Sequence, residues 1–145
     1  MRLRNLLEGF SPFTQTTTHM SDYDDMLHDP EYFKEKKNKV FTIVHMSPRE
    51  YIQQAYDSFK EHGHLQPHDD LQTLVQSRSD TLITKYQEKM KKGEKFPMLV
   101  LDFCSRPSFS GGREKSFSQD GIHRAIAAHR AGVTEVPVMV VDDAK

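Results

Sequence analysis

The sequence has a single cysteine and no tryptophan among its 145 residues. One cysteine, Cys104, excludes an internal disulfide and is typical of a protein from a reducing compartment. No apolar run approaches the length of about 18 residues that a membrane span requires. Residues 1–10 also lack the apolar stretch of a secretory signal. We therefore expect a cytoplasmic protein with no membrane partner.

An excess of positive charge is also missing, since 20 Lys and Arg residues stand against 21 Asp and Glu residues, for a net charge of −1. This balance argues against strong non-specific binding to nucleic acid, which needs a basic field. The densest basic cluster is formed by Lys34, Lys36, Lys37 and Lys39. It is either a local contact for nucleic acid or, as is more common for such runs, a solvated face.

The length predicts one domain with a single core. We divide the chain into a partly irregular N-terminal extension, residues 1–39, and an α/β domain, residues 40–145. The extension carries Asp22, Asp24 and Asp25, whose spacing resembles that of a calcium loop. Because the glycine and the terminal glutamate of such a loop are missing, a solvated acidic turn is the favoured interpretation.

The domain begins with a β-branched stretch at residues 40–46, which predicts a strand. Ser47-Pro48-Arg49-Glu50 follows as a capping box with proline at the first helical position. The next patterns predict a long helix from about residue 71 to Gly93 and a buried strand over residues 97–103. A hairpin is expected around Gly111-Gly112.

The last stretch predicts a helix over residues 121–131 and then a strand over residues 136–141, whose apolar run is typical of a strand covered on both faces. Asp120 is the expected N-cap, and Gly132 is the expected left-handed residue after the helix. The buried stripe is assigned to Ile122, Ala125, Ile126 and His129. We expect the strands at 99–103 and 136–141 to be neighbours in one sheet.

The first turn of this helix combines groups that can bind phosphate. Gly121 permits close backbone approach, the helix N-terminus offers free N–H groups, and Arg124 adds a guanidinium fork. His123 stands between them. The alternative is an ordinary capped helix whose histidine and arginine face water.

The same residues carry a family resemblance. The run from Asp120 to Arg124, the alanine-rich helix, Gly132 and the Val136-Pro137-Val138 strand resemble the signature of the ParB/sulfiredoxin-like superfamily, in the Asp-Gly-x-His-Arg variant of its ParB-like nuclease-type domains. Weaker similarity upstream extends the resemblance over residues 40–142. It implies an α/β fold in one compact domain, with a small mixed β-sheet flanked by helices.

Members of the superfamily catalyse different reactions, and this sequence departs from each type at individual positions. Ile122 stands where sulfiredoxins have their nucleophilic cysteine, so sulfiredoxin activity is not expected. The partition proteins that bind CTP share only Gly121 and Arg124 with this turn. The kinase type needs an early catalytic glutamate, and residues 40–46 contain none.

The resemblance therefore implies a nucleotide- or phosphate-ester-binding domain with Mg²⁺-dependent phosphoryl or phosphodiester chemistry, as in a nucleotide hydrolase, nuclease or kinase. A nucleoside triphosphate is the implied ligand or substrate. The implied catalytic residues are Asp120 and His123, and the implied metal ligands are Asp120 and Asp102. The expected phosphate ligands are Gly121, Arg124, Ser118, Gln119, Ser47 and Arg49.

Simpler interpretations remain open beside this one. The chain is alternatively a non-catalytic accessory module of a phage or mobile element, which binds DNA or a protein partner. Asp102 is alternatively a loop cap, and Ser47 with Arg49 an ordinary helix start. One further cluster either binds zinc or forms an exposed loop, the latter being favoured because the spacing is irregular and cysteine is missing: His62, His64, His68, Asp69 and Asp70.

Overall fold

The computed structural model describes residues 12–16, 39–63, 65, 69–76, 78–107 and 110–143. In chain order the elements are β1 (Lys39–Met46), α1 (Pro48–Glu61), α2 (Leu71–Gln76), α3 (Asp80–Lys91), β2 (Leu99–Asp102), β3 (Arg106–Pro107), β4 (Arg113–Glu114), β5 (Ser118–Asp120), α4 (Ile122–Arg130) and β6 (Val136–Asp143). Several residues of the sequence hypotheses lie outside the described ranges: Asp22, Asp24, Asp25, Lys34, Lys36, Lys37, His64 and His68.

A four-stranded mixed sheet, in the order β1-β6-β2-β5, forms the centre of the domain. β6 pairs antiparallel with β1 and parallel with β2, while β2 pairs antiparallel with β5. The α/β class and the predicted neighbourhood of the strands at 99–103 and 136–141 are thereby confirmed. None of the helices in the described ranges is long and apolar enough to span a membrane.

Both faces of the sheet are buried along β2 and most of β6, as the continuous apolar run of β6 predicted. Val136 and Val138 join the helices in the main core cluster. Met139 and Val141 point to the opposite face and form a second cluster with Val100. This division follows from the two-residue period of a strand.

Two of the predicted helix starts are confirmed by their caps. The Ser47 hydroxyl accepts a hydrogen bond from the Glu50 N–H at 3.1 Å, and Pro48 occupies the first turn of α1. Asp70 caps α2, since its Oδ1 accepts from the Thr73 N–H at 2.8 Å. Each cap satisfies backbone donors that a helix N-terminus leaves open.

The prediction of one long helix from residue 71 was wrong, because the chain forms α2 and α3 instead. Ser79 starts α3, and its Oγ accepts from the Leu82 N–H at 3.3 Å. Serine competes for backbone donors and favours a cap over a helix interior, so Ser79 restarts the helix where the apolar periodicity alone would continue it.

α4 packs between α1 and α3 and over the sheet. Its buried face consists of Ile122, Ala125, Ile126, Ala127 and Ala128. The alanines permit close approach of the helices on both sides. His129 is exposed, which corrects its place in the predicted stripe. Gly132 has φ +83° after the helix, as predicted.

Part of the N-terminal extension lies along the start of β2. Phe13 forms a parallel bridge with Phe96, and the Met98 N–H donates to the Thr16 carbonyl at 2.9 Å. Phe13 is buried in the main core cluster. The extension therefore contributes core packing at this point.

Candidate functional site

The turn between β5 and α4 requires glycine at position 121 for two reasons. Gly121 has φ +127°, a region that side chains disfavour. A Cβ there would also lie 2.9 Å from Leu99 Cγ and 3.1 Å from Arg124 Nη2. The close approach to the Gly121 backbone that the sequence predicted is thus present, but the groups that approach it are the Leu99 and Arg124 side chains.

Asp120 is not the N-cap of α4, contrary to the sequence prediction. Gly121 occupies the cap position without a side-chain bond. The Gln119 Oε1 accepts from the Ile122 N–H at 3.0 Å instead. Asp120 pairs with Val100 in the sheet. The Gln119 side chain therefore meets the helix start, whereas the Asp120 carboxylate lies 3.5 Å from Arg124 Nη1 in the first turn of α4.

Gln119 is held in this role by Tyr51 of α1, whose side chain is fully buried. The Tyr51 hydroxyl lies 2.8 Å from Gln119 Oε1 and 2.9 Å from the Val100 carbonyl oxygen, and its one proton is shared between these two acceptors. Burial is the main reason why the pKa of Tyr51 is well above its usual range, so the phenol stays a neutral donor. Gln119 is therefore part of a structural network, and its assignment as a phosphate ligand stays a prediction.

The sequence analysis missed this role of Tyr51 because it placed the residue only on the apolar face of α1. The feature that could have indicated this role is the Tyr51 hydroxyl. A buried tyrosine must find a partner for its O–H, and sequence spacing does not reveal which strand supplies it.

Arg124 ties the start of β2 to the end of β5. Its side chain is only 12% exposed. Nη2 donates to the Met98 carbonyl at 3.0 Å and to the Asp120 carbonyl at 3.4 Å, while Nη1 lies 3.5 Å from Asp120 Oδ1. Nη1 and Nη2 are thus used within the protein, and the assignment of Arg124 as a phosphate ligand stays a prediction.

His123, in the first turn of α4, is half-buried. Its pKa lies below the ordinary value of 6.5, first because of burial and then because of the positive charges of Arg78 and Arg124. Arg78 precedes α3 in the chain, and the effect of its charge on His123 was not predicted. Helix periodicity placed Arg78 only on or beside the apolar stripe of the expected long helix.

Several donors at this turn have no acceptor among the described residues. The Nε atoms of Arg78 and Arg124 are buried without a hydrogen-bond partner. Gln119 caps the Ile122 N–H, and the next two backbone N–H groups, those of His123 and Arg124, donate no hydrogen bond within the described ranges. Buried donors are nearly always satisfied in native proteins, so the two Nε atoms indicate a place for an acceptor.

The predicted metal ligands are used separately. Asp102 is 2% exposed, and its Oδ1 accepts from the Cys104 N–H at 2.9 Å, which is the loop-cap role. Asp120 lies on the neighbouring strand beside Arg124. Within the described ranges, no group of three or more histidine, cysteine or acidic side chains could hold a metal ion. These contacts do not fit a shared Mg²⁺ site, and no metal-dependent step follows from them.

Two neighbours of Asp102 are also accounted for. Ser118 lies opposite Asp102 in the sheet, and its hydroxyl is buried without a partner among the described residues. Its assignment as a phosphate ligand stays a prediction. Cys104 is buried, and burial together with the Asp102 carboxylate raises the pKa of its thiol to about 12. A thiol that holds its proton so strongly is an inert packing residue.

The remaining predicted ligands belong to other places in the fold. Ser47 caps α1. Arg49 lines a cavity beside Ile126 and His129, in the second half of α4, whereas His123 lies in its first turn. Ser47 and Arg49 therefore have contacts of their own and are not shown to join the α4 turn.

The histidine-rich cluster is dispersed as far as the structure describes it. The His62 Nδ1 lies 2.9 Å from the Ser58 carbonyl oxygen, and its ring stacks on Phe117 with centroids 6.2 Å apart. Asp70 caps α2. The Asp69 carbonyl accepts from the Tyr56 hydroxyl at 3.1 Å. These contacts are structural and favour the loop interpretation over a zinc site.

No family model matches the sequence, and neither a curated protein nor a solved structure is significantly similar to it. The ParB/sulfiredoxin-like resemblance therefore stays a prediction, and the candidate site is argued from its own contacts.

Proposed function

We propose that the protein binds a phosphate-bearing small molecule, a nucleotide or another phosphate ester, at the first turn of α4. The observation that carries the proposal is the convergence of two arginine charges on half-buried His123 at this helix N-terminus. The open N–H groups of His123 and Arg124 point along the helix axis, where the helix dipole favours an anion.

The surrounding charges suit a single anion. Arg78 and Arg124 contribute positive charge, and the Asp120 carboxylate offsets part of it through its contact with Arg124. The lowered pKa of His123 keeps the imidazole neutral at pH 7. A bound anion would stabilise the imidazolium and raise that pKa, so binding is accompanied by proton uptake.

The proposal is limited to binding. Asp102 is buried and bonded to a backbone N–H, and Asp120 is paired with Arg124. Hydrolase, nuclease or kinase chemistry thus has support from the family resemblance alone.

The test uses sulfate as a probe, because sulfate does not change its charge between pH 5 and pH 8. Affinity measured by NMR titration should rise as the pH falls, since protonation of His123 favours the anion. His123→Gln should remove this pH dependence. Nucleoside mono-, di- and triphosphates, each with and without Mg²⁺, then identify the preferred ligand class.

A second variant tests the role of Arg78. Arg78→Met should weaken sulfate binding by about 1.5–3 kcal/mol, the magnitude for a hydrogen bond to a charged group. Lys85→Met, which removes an exposed cation from α3, is the matched control. Equal losses in the two variants, or sulfate affinity that is independent of pH in the wild-type protein, would contradict the proposal.

A further inference from the structure

A cavity away from the first turn of α4 combines an apolar floor with positively charged side chains. A cavity of about 360 Å³ lies between α1, α2 and α4. Its size falls within the range typical of small-molecule sites, roughly 300–1,000 Å³. The lining residues are Arg49, Ile52, Leu71, Gln72, Val75, Ile126, His129 and Arg130.

The floor of this cavity is aliphatic. Ile52 and Ile126 are buried, and Leu71 and Val75 are half-buried. Three helices contribute these side chains, so the apolar surface is concave and can surround a ligand body. Transfer of such a body from water would be favourable at roughly 25 cal/mol for each Å² of apolar surface that is buried.

The rim carries positive charge, and the lining contains no acidic side chain. Arg49 and His129 are exposed, and within the described ranges neither side chain has a hydrogen bond or an ion pair. Arg130 is paired with Asp80 at 2.9 Å, but both side chains are exposed and such a pair is weak. Arg49 is therefore available for a charge-assisted bond to a ligand, in contrast to Arg124.

We propose that this cavity binds a small amphipathic anion, namely a carboxylate on an aliphatic chain, with the chain on the aliphatic floor and the carboxylate on Arg49. A guanidinium matches a carboxylate by two parallel hydrogen bonds. The aliphatic floor selects against small hydrophilic anions. The site is independent of the phosphate site at the first turn of α4, since it uses α1, α2 and the second half of α4.

The experiment is a titration of the full chain with octanoate, followed by methyl NMR. Octanoate should shift the methyl signals of Ile52, Val75 and Ile126. Octan-1-ol, which has the chain without the charge, and acetate, which has the charge without the chain, should bind at least about ten-fold more weakly. Arg49→Met should weaken octanoate binding by about ten-fold or more, because a charge-assisted bond is lost.

Two variants make the outcome specific. Lys60→Met removes an exposed cation from the other end of α1 and should leave octanoate affinity unchanged. His123→Gln alters only the phosphate site and should also leave it unchanged. The proposal is overturned if octanoate causes no methyl shifts up to about 10 mM, if octan-1-ol binds as tightly as octanoate, or if Lys60→Met weakens binding as much as Arg49→Met.

Discussion

The first turn of α4 and the cavity between α1, α2 and α4 use positively charged side chains in opposite ways. At the turn, Arg124 is almost buried and donates to the carbonyls of Met98 and Asp120. At the cavity, Arg49 is exposed and has no partner within the described ranges. The dense sequence motif from Asp120 to Arg124 thus lies where polar groups hold the fold together. Arg49, whose charge has no partner within the described ranges, lies instead in the first turn of α1.

The same contrast separates Gln119 from Asp120. Gln119 caps α4 and accepts from Tyr51 inside the core, while the partly exposed Asp120 carboxylate lies beside Arg124. In the α4 turn most residues therefore make contacts within the protein. His123 is the side chain that the internal bonds leave available.

The largest expected effect is that of Gly121→Ala, which tests whether the turn is sterically closed. The positive φ costs roughly 1–3 kcal/mol for a non-glycine residue, and the 2.9 Å approach to Leu99 Cγ adds overpacking of about 1–3 kcal/mol. The free energy of unfolding, measured by urea denaturation, should fall by their sum.

Gly132→Ala provides the control, because Gly132 shares the positive φ but has no atom within 4 Å of the position that an added methyl group would occupy. The free energy of unfolding of Gly132→Ala should therefore fall only by the cost of the positive φ, roughly 1–3 kcal/mol. Equal losses at the two glycines would show that the contact with Leu99 relaxes easily, and the turn would then have room for a ligand.

The next effect compares Arg124→Met with Arg49→Met. Removal of the Arg124 guanidinium leaves the buried Met98 carbonyl without its partner, which costs about 1–3 kcal/mol. Removal of the exposed Arg49 charge should change stability by less than about 0.5 kcal/mol. Thermal unfolding of both variants measures the difference. Similar melting temperatures would contradict the conclusion that Arg124 stabilises the fold and Arg49 does not.

The smallest effect distinguishes the two candidates for the cap of α4. Gln119→Leu should destabilise the protein by about 1–2 kcal/mol, because the Ile122 N–H and the Tyr51 hydroxyl lose an acceptor. Asp120→Asn should cost less than about 1 kcal/mol, since the ion pair that it weakens is partly exposed. Chemical denaturation curves that rank the two variants in the reverse order would return the cap to Asp120.

Local patterns predicted much of the architecture. β1, α1 with its Ser47 cap, β2, the Gly111-Gly112 hairpin and the helix-glycine-strand unit at the C-terminus all follow from periodicity, caps and turn residues, which act within a few positions of the chain. The break between α2 and α3 was missed because the apolar spacing continues across Ser79, where a competing cap prevails.

The candidate site was less predictable, since its contacts join residues far apart in the chain. The sequence by itself determined that Gly121 permits the turn, that a helix begins directly after it, and that His123 and Arg124 stand at its start. Only the tertiary structure decided that Tyr51 orients Gln119, that Arg124 bonds to Met98 and that the charge of Arg78 acts on His123. The reason is physical: strand pairing and burial choose the partner of each polar group, and neither is encoded by local spacing.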